Sequence, residues 1–406
     1  MKRIWFVSHY SMPPKYEMRI KTQMYAHYLQ QMGYECTIFS ASTIHNTSIN
    51  LIEDKSKYIK RTYDDLDFVH IRVSNYTGNG IKRIMNMRQF AKRFKKIATK
   101  DFEKPDVIVA DVNCLNYYPI YKYAKKNRIP FYTDIRDLWP LSIVEYYKLS
   151  AKNPIIKWMF HKEKKMYSRA TKNIFSMEGA YDYIAEKGWN KSLPREKICY
   201  INNGVDLESF DKNVKECIIK DDDLLNKSTF KVIYAGSIRL VNNIGLLLDA
   251  FKLLPENVVL LVWGDGNERK NLEKRLGDEG IKNVKFKGSV EKKYIPFITS
   301  NANLNIVHFS TTFILKYGIS GNKLFDYCAA EKPVLCDVKP NYNPILQYNA
   351  GTVTVDQTPE EIAKSIMYFY KLNKSDYAEY CANARKLAED FDYKVLTKKL
   401  LSVIKE

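Results

Sequence analysis

Short apolar runs alternate with longer amphipathic stretches along the first half of the chain. Each run is short enough for a buried strand, and the runs lie at 3–8, 35–40, 67–73, 106–111, 130–135 and 173–177. The stretch 18–32 between the first two runs has helical spacing and ends before Gly33, a residue favoured just after a helix. Strands that alternate with helices predict a parallel sheet with helices on both faces.

The same alternation starts again after residue 229 and predicts a second parallel sheet. Its strands are predicted at 230–236, 258–266, 284–288, 303–309, 333–336 and 351–355. Three helical stretches follow without a strand between them, at 358–372, 375–389 and 393–404. Between the two halves, the segment 203–229 is polar and includes an acidic run, as is typical of a linker.

We therefore predict an α/β protein of two doubly wound, Rossmann-like domains that face a central cleft. The first domain spans 1–202, the linker 203–229 and the second domain 230–389. A C-terminal helix at about 390–406 is expected to pack back onto the first domain. A chain of 406 residues is long for one hydrophobic core and suits two domains. Ligands of such folds bind in the loops that follow the strands.

Composition predicts a cytoplasmic protein without a metal site. No run approaches the roughly 20 apolar residues of a membrane span, and the first residues, MKRIWFVS, are typical of a strand rather than a secretory signal. The seven cysteines are scattered and form no CxxC pair, as expected in a reducing compartment. The six histidines show no metal-ligand spacing. The acidic motifs at 65–67 and 221–223 resemble a DxD metal pattern, but we expect both to be solvated charges.

The net charge of +19 is concentrated in the first half of the chain. Residues 1–200 hold 36 Lys and Arg against 19 Asp and Glu, whereas 201–406 hold 29 against 27. This positive charge is compatible with three kinds of anionic partner: nucleic acid, anionic lipid or a phosphorylated substrate. The segments 81–100 and 156–167 combine basic and apolar residues. This combination is typical of helices that lie on anionic membranes. A helix that covers the sheet and has a charged outer face is the alternative interpretation.

The segment YGISGNKLFDYCAAEKPV at 317–334 contains the strongest candidate for ligand binding. Ser320 or Gly321 is expected to cap a helix. Lys323 then falls in the first helical turn, where phosphates bind, and Asp326 follows on the same face. A cation for phosphate and a carboxylate for ribose hydroxyls are what a nucleotide site needs. An ordinary amphipathic helix with a solvated lysine and aspartate is the alternative interpretation.

Three other loops of the second domain follow predicted strands and belong to the same edge of the sheet. The residues in them that we expect to approach a diphosphate or a base are Gly236, Ser237, Arg239, Gly264, Ser289 and Val290. A tight turn explains each loop by itself equally well. Their coincidence at one edge favours a ligand site.

In the first domain, the segment TDIRDLWP at 133–140 brings charged residues to the end of an apolar strand. Charge at such a position is costly unless it is paired or used. Asp137 is the candidate proton acceptor or acceptor-substrate ligand, and Arg136 is the candidate anion ligand. The alternative is an Asp–Arg pair that holds the loop in place. Arg19, after the first strand, is a further candidate to contact a phosphate or the acceptor.

With these residues in view, nearly the whole chain resembles the GT-B glycosyltransferases of family 4, especially bacterial capsule, O-antigen and exopolysaccharide enzymes. The motifs that carry the resemblance are TDIRDLWP, NGVD at 203–206, YAG at 234–236, GDGNERKNLEKR at 264–275, VKFKGSV at 284–290 and the stretch 320–334. The resemblance implies transfer of a hexosyl or N-acetylhexosaminyl group (EC 2.4) with retention of anomeric configuration. It implies a nucleotide-sugar donor, usually a UDP-sugar, and no cofactor or essential metal.

The resemblance also implies roles for the candidate residues. Those implied for the donor are Lys323, Arg239, Gly236 and Ser237 at the diphosphate, Asp326 at the ribose, and Ser289, Val290 and Gly264 at the base. Gly318, Ile319 and Ser320 would form the loop at the donor sugar, and Arg136 and Asp137 would serve the sugar and the acceptor. The family places two glutamates eight positions apart, where this chain has Gly318 and Asp326. The carboxylate that usually touches the donor sugar is therefore missing.

The leading interpretation is a cytoplasmic enzyme, peripheral on the inner face of the plasma membrane. Its expected partners are a nucleotide-sugar, a lipid-linked saccharide acceptor and the anionic membrane surface, without nucleic acid. One alternative is a GT-B nucleotide-sugar epimerase, which would turn over the donor without an acceptor. The other is a non-enzymatic basic protein that binds nucleic acid, which would need aromatic and basic residues interleaved on one surface.

Overall fold

The computed structural model describes residues 1–16, 20–45, 47–78 and 80–405, and the chain divides into two compact units. The first unit contains Met1–Asn202 and Leu396–Glu406, and the second contains Asn203–Val395. Each unit has its own sheet of mainly parallel strands. The predicted α/β architecture with two parallel sheets is confirmed.

An eight-stranded sheet forms the centre of the first unit. Its strands are β1 (Arg3–Ser8), β2 (Glu35–Ala41), β3 (Tyr58–Tyr63), β4 (Leu66–Ile71), β5 (Val107–Asp111), β6 (Phe131–Ile135), β7 (Asn173–Phe175) and β8 (Ile198–Tyr200). Their order is β3-β4-β2-β1-β5-β6-β7-β8, and β3 runs antiparallel to β4. The central strand β1 is buried from Ile4 onward, which explains its continuous apolar run.

Among the described residues up to Asn202, six α-helices connect the strands of the first unit. They are α1 (Lys21–Gln31), α2 (Ile81–Lys100), α3 (Tyr117–Asn127), α4 (Leu141–Tyr146), α5 (Pro154–Arg169) and α6 (Ala180–Glu186). The apolar face of α2 packs on the sheet, where Phe94 meets the ring of Trp5 edge-on at 6.1 Å. Trp5 also stacks on Tyr123 of α3, with ring centroids 5.8 Å apart. An aromatic layer thus joins both helices to β1.

A six-stranded parallel sheet forms the second unit, in the order β11-β10-β9-β12-β13-β14. The strands are β9 (Phe230–Ala235), β10 (Val258–Trp263), β11 (Val284–Gly288), β12 (Leu304–Val307), β13 (Val334–Cys336) and β14 (Gly351–Val353). The helices are α7 (Leu207–Glu216), α8 (Asp222–Leu225), α9 (Ile244–Phe251), α10 (Arg269–Asp278), α11 (Ile295–Ser300), α12 (Asn322–Ala329), α13 (Pro344–Gln347), α14 (Pro359–Lys371) and α15 (Lys374–Asp390). The last helix, α16 (Tyr393–Lys405), begins in the second unit, and its residues from Leu396 onward belong to the first.

The segment 203–229, predicted to be a linker, is part of the second unit. It forms α7 and α8, and α7 buries Leu207 and Phe210 and packs against α11. The acidic run within it was expected to be solvated, and this was wrong for two of its members. Lys287 of β11 donates hydrogen bonds to Asp221, at 2.8 Å, and to Asp223. The polar composition therefore reflects ion pairs with an edge strand rather than a flexible connection.

Two strands of the first sheet were not predicted from the pattern. The strand β3 lies at the edge and exposes Lys60, Arg61 and Thr62, so it lacks the apolar run of a buried strand. The strand β8 forms the opposite edge of the sheet, and its three residues are all only half-buried. Among the described residues, no helix is both long and apolar enough to cross a membrane.

Candidate functional site

The carboxyl ends of three neighbouring strands in the second unit bring predicted loops together. These loops follow β9, β10 and β11 and lie at 236–239, 264–266 and 289–290. Backbone hydrogen bonds join them, since the N–H of Gly236 donates to Trp263 at 2.9 Å and that of Gly264 donates to the carbonyl of Gly288 at 2.8 Å. The loops form one connected rim at an edge of the sheet, where ligands of doubly wound folds bind.

Glycine is required where two of these loops touch. Gly264 has a φ of 141°, and a Cβ atom there would lie 1.8 Å from the carbonyl oxygen of Gly236. A Cβ atom on Gly236 would lie 2.8 Å from the Nζ atom of Lys323. Side chains at these positions would force the loops apart or displace the lysine. The glycines thus let the backbone approach the ammonium group closely.

Lys323 lies in the first turn of α12, whose N-cap position is occupied by Gly321 without a side-chain capping bond. Its Nζ atom donates to the hydroxyl of Tyr234 at 3.2 Å and lies 4.3 Å from the centre of that ring. Burial lowers the pKa of the Lys323 ammonium to about 8, although the charge of Asp337 acts in the opposite direction. A partly desolvated ammonium at a helix N-terminus interacts strongly with an anion.

Tyr234 connects this lysine to the loop after β9. Its ring is fully buried, and its hydroxyl donates to the carbonyl oxygen of Ser237 at 3.0 Å. Burial raises the pKa of the Tyr234 phenol, so the hydroxyl keeps its proton at neutral pH. The hydroxyl can therefore accept from Lys323 while it donates to the loop. Tyr234 was not predicted as a site residue, because an aromatic residue within a strand is typical of a hydrophobic core.

Asp326 lies one helical turn after Lys323 and is half-buried. Burial raises the pKa of its carboxyl, with the charge of Lys292 acting against this. Within the part of the chain that the structure describes, no hydrogen bond reaches the carboxylate of Asp326. Half-buried carboxylates normally have partners. The arrangement leaves two acceptor oxygens for hydroxyl groups of a ligand.

A residue at the start of the second unit holds the loop before α12 in place. Asn203, the first residue of the NGVD motif, donates from Nδ2 to the carbonyl oxygen of Ser320 at 2.5 Å. Ile319 is buried, and Gly318 has a φ of 118°, a conformation that favours glycine. The loop predicted to face a donor sugar is thus anchored at its end, and Gly318 has a backbone reason to be glycine.

The remaining donor candidates lie along the same rim with more exposed side chains. Ser237 and Arg239 are exposed, and the Ser237 hydroxyl donates to Asn242 at 2.8 Å. Arg239 has no ion pair within the described residues. Ser289 is exposed and Val290 half-buried just after β11. The structure therefore brings all predicted donor residues to one edge, while their roles at a ligand stay a prediction.

A buried His–Asp pair lies beneath this rim and was missed. His308 follows β12 and hydrogen-bonds through Nδ1 to Asp337, which follows β13. The other ring nitrogen, Nε2, contacts the carbonyl oxygen of Asn243 at 2.9 Å and so carries a proton. Both side chains are completely buried. The signal available in the sequence was that each residue directly follows a strand of the same sheet.

The first unit contains a buried charge cluster of which only Arg136 was predicted as a site residue. Lys21 of α1 is buried, and its Nζ atom donates to Asp134 of β6 at 3.1 Å, to Ser176 at 3.1 Å and to the carbonyl of Ile201 at 2.9 Å. Burial lowers the pKa of Lys21, with the charge of Asp134 opposing this effect. All three ammonium hydrogens have acceptors, which burial of a lysine requires.

Arg136 also belongs to this cluster. It forms the Asp–Arg pair that was the alternative interpretation of the segment 133–140. Its Nε atom lies 3.0 Å from Asp134 and 3.7 Å from Asp111, and its Nη2 atom donates to Thr22 at 2.5 Å. Burial alone would raise the pKa of Asp134, but Lys21 and Arg136 outweigh it and hold that pKa below its ordinary value. Arg136 therefore has a structural role, and its role as an anion ligand stays a prediction.

The two other candidates of the first unit are Asp137 and Arg19. Asp137 lies just after β6 with an exposed side chain, and partial desolvation by the atoms packed around it raises the pKa of its carboxyl. Arg19 lies outside the described residues. Within the described residues, no group of three or more His, Cys, Asp or Glu side chains is arranged to hold a metal ion.

Two family models match adjoining parts of the chain. The model described as Glycosyltransferase Family 4 matches residues 22–209, and the model described as Glycosyl transferases group 1 matches residues 217–387. The first match covers most of the first unit, and the second covers most of the second unit. No curated protein matched the chain.

Solved structures with the same architecture are similar over the full chain. Sucrose-phosphate synthase from Thermosynechococcus elongatus has a TM-score of 0.75 at 15% identity, covering 100% of this chain and 98% of that one. Anabaena Alr3699/HepE in complex with UDP has a TM-score of 0.69 at 15% identity, covering 100% of both chains. WaaG, a glycosyltransferase involved in lipopolysaccharide biosynthesis, has a TM-score of 0.66 at 14% identity, covering 99% of both. Identities at this level establish a shared fold.

Proposed function

Because the chain is a glycosyltransferase of family 4 with the GT-B fold, we propose that it transfers a sugar from a UDP-sugar to a lipid-linked saccharide with retention of anomeric configuration. We propose bacterial surface polysaccharide synthesis as the process that it serves. The transferred group is a hexose or an N-acetylhexosamine. The enzyme works at the inner face of the plasma membrane without a cofactor or an essential metal.

The observation that carries the proposal is the position of Lys323 and Asp326 on the same end of α12, beside the glycine loops. The ammonium of Lys323 and the N-terminus of α12 suit a diphosphate. The carboxylate of Asp326, without a hydrogen bond from the described residues, suits the hydroxyls of a ribose. The similar HepE structure contains UDP, which supports a uridine nucleotide here.

The chemistry requires stabilisation of the departing diphosphate. Negative charge develops on the diphosphate as the bond to the anomeric carbon breaks, and the acceptor hydroxyl attacks from the same face. Lys323 and the helix N-terminus are fixed in place before this charge develops, which is the most effective form of electrostatic catalysis. No side chain is needed as a covalent nucleophile. With Gly318 in place of a glutamate, the backbone and Ser320 are left to contact the donor sugar.

A panel of UDP-, GDP-, ADP- and dTDP-sugars tests the proposal. Thermal-shift measurements identify the nucleotide, and turnover is then measured with and without a lipid-linked saccharide. We expect UDP and UDP-sugars to stabilise the protein against heat, and the sugar to be transferred only when the acceptor is present. Turnover of the donor without an acceptor would identify an epimerase instead, and stabilisation by none of the four would reject a nucleotide-sugar enzyme.

The affinity for UDP is expected to depend on pH through Lys323. The pKa of this ammonium is lowered to about 8, so the group is charged below that pH and neutral above it. A diphosphate prefers the charged form, and its binding should weaken by up to about tenfold per pH unit above the pKa of the free protein. Titrations of UDP between pH 6.5 and 9.5 check this. A Lys323→Ala protein should lack this dependence, and an equally steep decline in both proteins would contradict the assignment.

Replacing Tyr234 with phenylalanine should weaken UDP binding by roughly threefold to tenfold, the usual effect of one hydrogen bond. The ring that fills the core is kept, while the hydroxyl that links Lys323 to the Ser237 carbonyl is lost. The pH midpoint of UDP binding should also fall, since the charged ammonium loses an acceptor. If the Tyr234→Phe protein bound UDP more weakly but with the wild-type pH midpoint, the hydroxyl would act only on the loop at Ser237 and not on the pKa of Lys323. Exposed Tyr370→Phe, on α14, serves as the matched control.

Attachment to the membrane surface is proposed from exposed apolar side chains among the basic residues of the first unit. Ile81 and Met85 at the start of α2 are 76% and 57% exposed, and Ile155 and Trp158 on α5 are 66% and 49% exposed. Basic residues of these helices neighbour them in the sequence, and the Nζ atom of Lys162 lies 5.5 Å from the centre of the Trp158 ring. This mixture is typical of protein surfaces that enter the headgroup region of a bilayer. The rest of the apolar face of α2 covers the sheet, as the alternative interpretation expected.

A further inference from the structure

A surface groove of the first unit runs along α2 and α3 and concentrates positive charge. Its volume is about 1020 Å³, and its lining contains seven lysines and one arginine against a single acidic residue, Asp101. The lysines contributed by the two helices are Lys92, Lys95, Lys96, Lys100, Lys122 and Lys126. Asp326 and the other donor candidates lie in the second unit, so the groove is a separate feature.

The charges of this groove are not balanced by the protein. Within the described residues, none of the six helical lysines forms an ion pair with a carboxylate, whereas Lys285 and Lys287 in the second unit both do. Lys92, Lys96 and Lys100 follow one another at four-residue spacing, and like charges so spaced destabilise a helix. A bound anion would offset this repulsion. The groove therefore has the character of a binding site for several negative charges.

The surface beside the groove indicates which anion is bound. Tyr118 lines the groove, and the Nζ atom of Lys162 lies 6.0 Å from its ring and 5.5 Å from the ring of Trp158. Trp158 and the neighbouring Ile155 are exposed. A soluble polyanion has no apolar layer to cover Ile155, whereas a bilayer presents phosphates and an apolar layer side by side. Tryptophan is enriched at that boundary.

We propose that the groove between α2 and α3 binds the phosphate groups of anionic lipids in a bilayer, with Trp158 and Ile155 inserted beside them. The lysines of both helices contact headgroup phosphates, and their alkyl chains extend along the protein surface. This inference rests on the membrane-surface part of the proposed function and names the residues that make the contact. It is independent of the donor nucleotide.

The test is co-sedimentation of the full chain with vesicles, without donor or acceptor. One vesicle is pure phosphatidylcholine, and the other contains phosphatidylglycerol. The test variant replaces Lys92, Lys96, Lys100 and Lys126 with glutamine, and all four side chains are exposed, so the fold should persist. The wild type should bind the anionic vesicles, and the variant should bind them at least about tenfold more weakly, since each lysine near an anionic surface contributes to binding.

A matched variant separates the groove from overall charge. It replaces the exposed lysines Lys270, Lys274, Lys371 and Lys374 of the second unit with glutamine, which changes the net charge by the same amount. Retained vesicle binding in this variant supports the groove. Equal losses in both variants, or a wild type that ignores anionic vesicles, would overturn the proposal. Binding of single-stranded DNA with no binding to vesicles would overturn it in favour of nucleic acid. UDP binding, measured in the same samples, reports separately on the donor site.

Discussion

Replacing Lys323 with alanine is expected to lower kcat for sugar transfer by about 100- to 1000-fold, the usual effect of removing one preorganised group that stabilises developing charge. The ammonium is held by Tyr234 close to the backbone of Gly236 at the start of α12, where the diphosphate is expected to bind. The fold should be unchanged, because the side chain is only half-buried and forms no ion pair within the described residues.

Steady-state kinetics with the best UDP-sugar and circular dichroism of both proteins check this expectation. Lys339→Ala is the matched control, since Lys339 is exposed in the same unit. The control should retain nearly full activity. A Lys323→Ala enzyme with the wild-type kcat would show that the leaving diphosphate is stabilised elsewhere.

Replacing Lys21 with methionine should destabilise the first unit by about 3–5 kcal/mol, the usual cost of leaving one partner of a buried ion pair behind. Among the described residues, Asp134 would keep only Arg136 as a cation within hydrogen-bonding distance. Ser176 and the carbonyl of Ile201 would lose their donor as well. Urea denaturation followed by circular dichroism measures the change in the free energy of unfolding.

A double variant distinguishes the ion pair from packing. Adding Asp134→Leu to Lys21→Met removes a buried carboxylate that has lost one of its two cations, while Arg136 keeps Asp111 at 3.7 Å. Part of the lost stability should therefore return. Lys125→Met, on the exposed side of α3, should change stability by less than about 0.5 kcal/mol. A Lys21→Met protein as stable as the wild type would mean that Asp134 is solvated and the cluster is not a structural centre.

Local sequence patterns were enough to predict most strands of the two sheets and the loops that meet at one edge of the second sheet. Buried parallel strands such as β10 are continuous apolar runs, which few other elements produce. Lys323 and the glycine loops were found because each directly follows such a strand or begins a helix. The edge strand β3 and the helices of 203–229 were not predicted. Exposed segments have a polar composition, which is also typical of loops and linkers.

Contacts between distant parts of the chain were beyond sequence reasoning. Lys21 and Asp134 are 113 residues apart, and nothing near either residue indicates that they meet. The same is true of His308 and Asp337, which become a pair only because β12 and β13 are neighbours in the sheet. Arg136 was predicted to act on a ligand, because a charged residue at a strand end can be used or paired, and the sequence does not reveal its partner.

The central claim is that the start of α12 binds the diphosphate and ribose of a uridine nucleotide. Calorimetric titration of UDP into the wild type, Lys323→Ala and Asp326→Ala tests it most directly, because it needs neither the donor sugar nor the acceptor. We expect UDP to bind the wild type and each substitution to weaken binding by roughly tenfold or more, as is usual for a hydrogen bond to a charged group. Equal affinities in the three proteins, or no binding of UDP to the wild type, would contradict it.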